Sequence, residues 1–466
     1  MTIEAIRPPA PLPATVPDAP GALPLVGHIP QMARSPLEFF KKLAALGPVV
    51  RIRIGAKPAY VVSSPELVHR LHVSELDSFD KGGPLFEKVR HYVGNGLASC
   101  PAHDHARQRP ALQPAFQRSR IERYAEVMTQ AAAEVTDSWK AGEEVDLYQQ
   151  MHRLTTLVIS RTLISAEVAG PAAASIAESV PDIMSGVYWR MVIPGRFFPK
   201  LPIPVNRRYE EVDARVRKVV NDVVDTYRAD GIDHGDLMSM VVAACENEPD
   251  PHKAVYDQVV TFLTAGLESV ASSLVYTLRL LDQHPEITAR VLAEIEEALG
   301  DGADGTDGEL RLPGYQDMNK LRFTQNVLTE GLRLFPPAWI VSRVATTDVT
   351  WEEGHIPEGA GVFFSPYIAH RDPEIFPDPE AFDPDRWGPD RVTTAQRQAY
   401  FSLGAGRRKC IGDVYGTVES TIALATVLSR WKLHHRPGSE NDKPSVTALL
   451  IPPRTLVRVE KAERSS

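Results

Sequence analysis

One cysteine stands in a loop that is rich in glycine and positive charge. Residues 401–412 read Phe-Ser-Leu-Gly-Ala-Gly-Arg-Arg-Lys-Cys-Ile-Gly, and the pattern of an amphipathic helix follows. The cations, together with the N–H groups at the start of that helix, are expected to favour the thiolate form of Cys410. A thiolate can act as a nucleophile or as a metal ligand, whereas a buried and inert cysteine is the plain alternative. Gly404 and Gly412 let the backbone approach a large flat group, which favours the ligand role.

Two pairs of polar residues have helical spacing. Glu330 and Arg333 are three residues apart, so a carboxylate and a guanidinium can pair on one helical face. His105 and Arg109 are four residues apart and would also share a face. Taken alone, each pair is equally compatible with a solvated surface, where it would contribute little stability.

The cysteine loop resembles the haem-binding loop of cytochromes P450, whose pattern is Phe-x-x-Gly-x-Arg-x-Cys-x-Gly. Gly406, Arg408, Cys410 and Gly412 match this pattern, and Leu403 replaces the aromatic residue. The resemblance implies that Cys410 is the axial ligand of the iron in haem b (iron protoporphyrin IX), and that Arg408 and the loop glycines border the haem. It also implies a mainly α fold with a minor β lobe, in which haem lies between the longest helix and the Cys410 loop.

Glu330 and Arg333 match the family's Glu-x-x-Arg motif. The segment 382–387, which contains Arg386, resembles a second family region. The resemblance therefore implies a buried network of Glu330, Arg333 and Arg386, with the structural role of holding the loop that presents Cys410.

Three cations match family positions that hold the haem propionates. They are His105, Arg109 and, after the Glu-x-x-Arg helix, Arg343. Cations suit two carboxylates that would otherwise be half-buried and unpaired. A zinc site formed by Cys100, His103 and His105 is the rival interpretation, but this spacing does not match an ordinary structural zinc site. A solvated basic face is the other alternative.

The segment Ala265-Gly-Leu-Glu-Ser269 lies in the middle of the longest helical pattern and resembles the family's Ala-Gly-x-Asp/Glu-Thr, on the distal side of the haem. Gly266 lowers helix propensity and permits a flat ligand to approach closely. Glu268 and Ser269 would provide an acid and a hydroxyl for proton delivery where dioxygen binds. Serine lacks the methyl group that restricts threonine, so we expect oxygen activation that releases more peroxide.

Regular elements must position these residues. Helical patterns cover 120–140, 147–164, 209–228 and 255 to just before 285, and short β patterns cover 48–54, 59–62 and stretches around 343, 350 and 362. The β patterns at 48–54 and 59–62 are separated by a glycine and a proline, which predicts a hairpin in a small sheet.

The size and charge of the chain exclude several classes of protein. Its 466 residues carry a net charge of −9 without a long basic run, which argues against nucleic acid as a partner. Its three cysteines favour the cytoplasm over a disulfide framework. No uninterrupted apolar stretch is long enough to span a membrane, so we expect no membrane anchor. We expect a mobile, proline-rich lead-in over residues 1–20, a single haem domain over residues 21–466, and a monomer.

Residues at family positions of the substrate pocket are mostly apolar or aromatic, which suits a compact hydrophobic molecule. They are Leu85, Phe86, Val89, Tyr188, Met191, Phe198, Phe262, Trp339, Ile340 and Leu449. Segments 21–30, 79–89 and 189–194 are similar to actinobacterial sesquiterpene oxidases. This looser resemblance implies hydroxylation, or repeated oxidation, of an unactivated C–H bond of a sesquiterpene in secondary metabolism. A macrolide, a polyketide or a fatty acid is the alternative substrate.

The resemblance also implies an external supply of electrons to activate O2. The chain has no flavin or nicotinamide fingerprint, so we expect a ferredoxin and an NAD(P)H-dependent ferredoxin reductase as partners. Arg407 and Lys409, with Arg107 or Arg109 nearby, could form a basic patch for an acidic electron donor. A coupling or peroxide-using haem-thiolate enzyme and a non-enzymatic haem- or lipid-binding sensor are the alternatives. The distal acid and hydroxyl argue against peroxide use.

Overall fold

The computed structural model describes residues 15–164, 172, 175–176, 178–179, 182–183, 186, 201–300, 310–439 and 442–462. Helices and small sheets make up this part of the chain, as the sequence predicts. The helices are α1 (Ile29–Arg34), α2 (Pro36–Ala44), α3 (Pro65–His72), α4 (Gly83–Val93), α5 (Ala102–Leu112), α6 (Arg118–Asp137), α7 (Leu147–Leu163), α8 (Pro204–Asp230), α9 (Leu237–Ala244), α10 (Pro251–Gln283), α11 (Pro285–Leu299), α12 (Arg322–Leu334), α13 (Pro366–Ala369), α14 (Thr394–Ala399) and α15 (Asp413–Arg430).

The strands that the structure describes belong to four small sheets. They are β1 (Val49–Ile54), β2 (Lys57–Val62), β3 (Phe79–Asp80), β4 (Glu144–Asp146), β5 (Val341–Ala345), β6 (Val349–Trp351), β7 (Gly354–Ile356), β8 (Gly361–Phe364), β9 (Trp431–His435), β10 (Ser445–Val446), β11 (Leu450–Ile451) and β12 (Leu456–Lys461). The largest sheet has the order β1-β2-β8-β5-β3. The predicted hairpin is confirmed, because β1 and β2 are antiparallel neighbours. Strand β5 carries Arg343 opposite Val362 of β8.

Helix α10 is the longest helix, and α7, α12 and α15 all contact it. Its first turn is fixed by Asp250, whose side chain accepts a hydrogen bond from the Lys253 N–H at 3.1 Å, and by Pro251, which needs no N–H partner there. The helix therefore begins about one turn before the predicted start at Val255. It ends before Pro285, as predicted.

Of the described helices, α10 is long and apolar enough to cross a membrane. However, 78% of its most apolar stretch is buried inside the protein. A mostly buried helix of this kind is typical of a protein core, where apolar side chains on all sides are covered by neighbouring elements.

The predicted mobile lead-in is too long at its C-terminal end. The Arg51 N–H donates to the Pro17 carbonyl, and the Ala19 N–H donates to the Arg51 carbonyl, each at 2.8 Å. The Arg51 guanidinium also pairs with the Asp18 carboxylate. Residues 17–19 therefore continue the edge of the sheet next to β1 instead of forming a free tail.

Two buried histidines should make the fold sensitive to acid. Burial lowers the pKa of His72 to about 4 and the pKa of His370 to about 3, against about 6.5 in an unfolded chain. Below about pH 6.5 the unfolded state takes up protons that the folded state excludes. Stability should therefore fall as the pH drops from about 6.5 towards 4, by about 1.4 kcal/mol per pH unit for each histidine.

Urea unfolding of His370→Asn across this pH range checks the prediction. The variant should lose part of the acid slope, whereas His103→Asn should keep all of it, because the His103 side chain is 79% exposed. Equal slopes in the three proteins would contradict the expectation.

Candidate functional site

The Cys410 loop is shaped by two glycines with left-handed backbone conformations. Gly404 has φ +73° and Gly406 has φ +60°. A Cβ atom on Gly406 would lie 2.3 Å from the carbonyl oxygen of His72, at the end of α3. Only glycine fits there, so the loop lies directly on α3. The Cys410 N–H then donates to the Leu403 carbonyl at 2.8 Å, and α15 begins three residues later.

The cations of this loop do not favour the thiolate as the sequence predicts. Arg407 pairs with Asp77, Arg408 with Asp80 and Lys409 with Asp413. Because carboxylates compensate these charges, burial is the dominant effect and raises the pKa of the Cys410 thiol, although the Gly412 N–H, Arg109 and Lys409 act against it. A bound metal cation, which deprotonates a coordinating thiol, would be needed to hold the thiolate.

The structure brings Glu330, Arg333 and Arg386 together. The Arg333 guanidinium donates two hydrogen bonds to the Glu330 carboxylate, at 2.8 and 2.9 Å, and both side chains are completely buried. Arg386 Nε lies 3.4 Å from Glu330 Oε1. The Trp387 indole N–H, which sequence reasoning missed, donates to Glu330 Oε2 at 2.8 Å. The carboxylate therefore has a partner on every side.

His370 connects this network to the cysteine loop, and no sequence motif pointed to it. Arg333 Nη1 donates to the His370 carbonyl at 2.9 Å. The Phe401 N–H donates to His370 Nε2 at 3.1 Å, so the proton lies on Nδ1, which donates to the Arg333 carbonyl at 3.2 Å. Phe401 is the first residue of the 401–412 stretch. A buried, neutral histidine thus fixes the chain just before the loop.

Four cationic or titratable side chains meet beside the loop. Arg343 is 7% exposed and His105 is 8% exposed. Arg408 donates to Asp80 at 2.8 Å and to the Cys100 carbonyl at 3.0 Å. Lys81, which sequence reasoning missed, donates to the Ala98 carbonyl at 2.6 Å. The sequence Asp-Lys-Gly-Gly at 80–83 contains no motif that predicts a buried lysine beside the cysteine loop.

Positive charge outweighs negative charge in this group. Burial, with Arg343 and Arg408 nearby, lowers the pKa of Lys81 to about 7. Burial and the charge of Arg408 lower the pKa of Arg343 to about 10, and burial with the neighbouring cations lowers the pKa of His105 to about 4. Asp80 is the one carboxylate that acts on all four of these side chains among the described residues. An added anion such as a carboxylate would relieve this imbalance.

Arg109 takes a different position from the other predicted cations. Its Nη1 donates to the Lys409 carbonyl at 2.6 Å, and its Nε donates to Gln113 Oε1 at 2.8 Å. It therefore fastens α5 to the cysteine loop. Arg107, which was expected near a basic docking patch, pairs with Glu248 and Asp104 instead.

One face of α10 is open although most of the helix is buried. Ala265 is exposed and Gly266 is half-buried, and a Cβ on Gly266 would find its nearest neighbour at 3.9 Å. The Ser269 hydroxyl donates to the Ala265 carbonyl at 2.8 Å.

Helices α10 and α15 meet just beyond the open face. Val270 Cγ2 lies 3.8 Å from a Cβ placed on Gly416 of α15. Cys410 lies six residues before Gly416 and is itself exposed, yet surrounding protein raises the pKa of its thiol. Ala265 on α10 and Cys410 before α15 are therefore both exposed near the place where these two helices meet.

Glu268 is directed away from the position that the sequence predicts. Its Oε1 accepts hydrogen bonds from the Tyr148 hydroxyl and, at 3.2 Å, from the Ser272 hydroxyl. Its Oε2 lies 4.0 Å from His152 Nε2. The carboxylate is buried against α7 and is not beside the Ser269 hydroxyl, because successive residues of a helix point about 100° apart.

The predicted pocket residues fall into different environments. Trp339 is a core residue in this structure, in contrast to its predicted place in the pocket wall. Its indole donates to the Thr447 carbonyl at 2.9 Å, its ring packs on Phe40, and it is 4% exposed. Ile340 packs on the same core cluster. Phe262 is 7% exposed and packs on Phe116, which lies 3.8 Å from a Cβ placed on Gly412.

The other candidate pocket residues are half-buried where the structure describes their side chains. Phe86 and Val89 are half-buried on α4, which also contains Leu85, and Leu449 is half-buried before β11. Tyr188, Met191 and Phe198 lie outside the described residues.

The alternative zinc site is not formed. Cys100 is fully buried, with its Sγ 3.5 Å from the Leu97 carbonyl, whereas the His103 side chain is 79% exposed. Within the described ranges, no three His, Cys, Asp or Glu side chains gather in a way that could hold a metal ion.

A cysteine in a glycine-rich loop, buried cations beside that loop and an open face on the long helix α10 fit a haem-thiolate centre. The chain belongs to the cytochrome P450 family, which it matches over residues 17–459. It is therefore a haem-thiolate monooxygenase. It is 40% identical to cyclooctatin synthase of Streptomyces melanosporofaciens, over 91% of both chains. It is 37% identical to pentalenene oxygenase of Streptomyces avermitilis, over 94% of this chain and 95% of that one.

The fold is also found in a solved structure. The haem domain of cytochrome P450DA superimposes with a TM-score of 0.82 at 24% identity, over 97% of this chain and 99% of that one. The predicted fold class, mainly α with a minor β lobe, is confirmed.

The buried network should dominate the stability of this region. Glu330→Ala leaves the Arg333 guanidinium buried without its carboxylate, which should lower the free energy of unfolding by about 3–5 kcal/mol in a urea titration. Glu380→Ala is the matched control, because Glu380 also pairs with an arginine but is 67% exposed. That variant should lose about 1 kcal/mol or less, and a similar loss in both would show that burial is not the reason.

Proposed function

We propose that this monooxygenase hydroxylates an unactivated C–H bond of a terpene, with the haem held between α10 and the Cys410 loop. The observation that carries the proposal is the group of buried cations beside the cysteine loop, which has too few carboxylates. It is joined by the exposed Ala265 on α10 and the exposed Cys410 before α15. A large, flat ligand with two carboxylates and one metal ion would neutralise the cations and bind between Ala265 and Cys410. The residues present therefore fit haem b.

The roles of the residues around the haem follow from their chemistry. Cys410 would hold the haem iron through its thiolate, because a metal cation would offset the raised pKa of its thiol. We propose that Arg343, His105 and Lys81 would bind the two propionates and that Arg408 holds the loop through Asp80. Haem with a thiolate ligand supplies the activation of O2 that an amino-acid side chain cannot provide.

Ser269 and Glu268, on the proposed distal side of the haem, would bind and transfer protons. The Ser269 hydroxyl is oriented by its bond to the Ala265 carbonyl, so its oxygen remains able to accept a hydrogen bond on the open face. Glu268 is held by Tyr148 and lies near His152, whose side chain is 24% exposed. We propose that Glu268 exchanges protons with the half-exposed side of α7 instead of touching the oxygen site directly.

The substrate class is inferred from the relatives and from the pocket. The names of two relatives refer to pentalenene and to cyclooctat-9-en-7-ol. The candidate walls Phe86, Val89 and Phe262 offer apolar contacts without a charged group. We propose a terpene substrate, with sesquiterpenes as the first candidates, and one or more successive oxidations.

Electrons must reach the buried centre from other proteins. We propose a ferredoxin and an NAD(P)H-dependent ferredoxin reductase, with docking on the side of the cysteine loop. Lys409 and Arg407 are about half or more exposed there, although each also pairs with a carboxylate. A cytoplasmic monomer with one haem domain, expected over residues 21–466 and joined by residues 17–19 at its sheet edge, completes the proposal.

Substrate binding provides the most direct test. Sesquiterpenes should shift the haem absorption spectrum. Reconstitution with ferredoxin, its reductase and NADPH should yield hydroxylated products, detected by mass spectrometry. Macrolides and fatty acids serve as controls. The terpene assignment fails if these controls shift the spectrum while a sesquiterpene panel leaves it unchanged. Turnover with peroxide alone would favour the peroxide-using alternative.

The axial ligand can be tested without any substrate. Cys410→Ser should change the position of the Soret band of the reduced, CO-bound protein, because a neutral oxygen replaces a thiolate on the iron. Cys245→Ser is the matched control, since Cys245 is a buried free cysteine in a separate part of the chain. An unchanged spectrum in Cys410→Ser would exclude this cysteine as the ligand.

A further inference from the structure

The segment Gly94–Leu97, which connects α4 to α5, lies directly on the central helix α10. Gly94 ends α4 with φ +86°, and a Cβ atom there would lie 2.3 Å from Asp257 Oδ1. A Cβ on Gly96 would lie 2.0 Å from Thr261 Oγ1. The backbone of this segment touches α10 so closely that no side chain fits at positions 94 and 96. Both positions therefore require glycine.

Two neighbouring side chains of α10 hold this segment. Asp257 Oδ2 accepts a hydrogen bond from the Asn95 N–H at 2.9 Å, and Gln258 Oε1 accepts one from the Leu97 N–H at 3.0 Å. Asp257 is 5% exposed and Gln258 is 2% exposed. Lys253, one turn earlier, pairs with Asp257. The contact is thus made by buried, partly charge-assisted hydrogen bonds, which are the stronger kind.

The same contact extends to α5, the helix that carries His105. Gln258 Nε2 donates to Gln108 Oε1 at 3.0 Å, and Gln108 Nε2 donates to the Asn95 carbonyl at 2.9 Å. Asn95 Nδ2 donates to Asp104 Oδ2 at 2.8 Å. One polar cluster therefore joins α10, α5 and the end of α4.

The cluster is incomplete in this closed arrangement. Asn95 Oδ1 and Thr261 Oγ1 are buried and have no hydrogen-bond partner. A cavity of about 170 Å³ lies beside Asn95 and is lined in part by Asn95, Gln108, Lys253 and Asp257. Unmet polar atoms weaken the closed arrangement, and the cavity leaves room for the segment to move. The hydrogen bonds around Asn95 can therefore open more easily than those of a fully satisfied cluster.

We propose that Asp257 and Gln258 are positioning residues that hold α4 over the open face of α10 and so limit the size of the molecules that reach the iron. Helix α4 contacts α10 and carries Phe86 and Val89. The open face at Ala265 lies eight residues further along α10, about 12 Å from Asp257. The inference rests on the proposed haem centre, but not on the identity of the substrate.

Three variants of the haem-loaded protein test this inference. Asp257→Asn and Gln258→Leu weaken the hydrogen bonds, whereas Gly96→Ala keeps both side chains and displaces the segment by steric overlap. The probes are imidazole and the bulkier 4-phenylimidazole, because a ring nitrogen of each coordinates ferric iron and shifts the Soret band. Hydrogen exchange of residues 83–97, measured by mass spectrometry, reports the contact itself.

Each variant should raise hydrogen exchange in residues 94–97 about tenfold or more. Each should also increase the association rate of 4-phenylimidazole several-fold more than that of imidazole, with an unchanged Soret band before ligand is added. Asp222→Asn, in an exposed pair on α8, and Gly361→Ala, where the nearest atoms lie at 3.7 Å, are the controls and should behave like the parent protein.

Two results would overturn the inference. Unchanged exchange would show that Asp257 and Gln258 do not hold the segment, and faster exchange with an unchanged ratio of the two rates would show a purely structural contact. A parent protein without a haem absorption band is a separate outcome, since it would overturn the proposed function and this inference with it.

Discussion

The buried ion pair of Glu330 and Arg333 is the interaction on which the site depends. Two charges without access to water are tolerated only when every donor and acceptor has a partner, because each unmet group retains its full desolvation cost. Arg333 therefore needs the carbonyls of His370, Pro379 and Ala381, and Glu330 needs the N–H groups of Trp387 and Asp383. These requirements draw three separate stretches of chain around α12.

The same requirement extends to the cysteine. His370 receives the Arg333 hydrogen bond on its carbonyl and accepts the Phe401 N–H on its ring, so the position of the loop is set from the network outward. At the other end the loop is fixed by Gly406 on α3 and by Arg408 on Asp80. Cys410 is thus held between two supports, one charged and buried, the other formed by close backbone packing. The cysteine itself needs no strong local interaction to be well placed.

The sequence contained the fold class and much of the site, for identifiable reasons. The pairing of Glu330 with Arg333 could be predicted because it depends on local spacing, and the proposed role of Cys410 rests on local spacing as well. The roles of His370, Lys81 and Tyr148 depend on contacts between distant segments, and no periodicity reveals such contacts. Glu268 was assigned correctly to the helix but to the wrong direction, because its hydrogen bond to Tyr148 is tertiary. Trp339 was mistaken for a pocket wall because aromatic residues in cores and in pockets look alike in sequence.

The contact between Gly406 and the His72 carbonyl limits how chimeric proteins can be built from two such enzymes. The two backbones meet with no side chain between them, so neither can shift without the other. A chimera that takes α3 from one relative and the cysteine loop from another joins surfaces that were shaped separately. Crossover points are therefore better chosen so that both segments come from one parent, even though more than 300 residues of sequence lie between them.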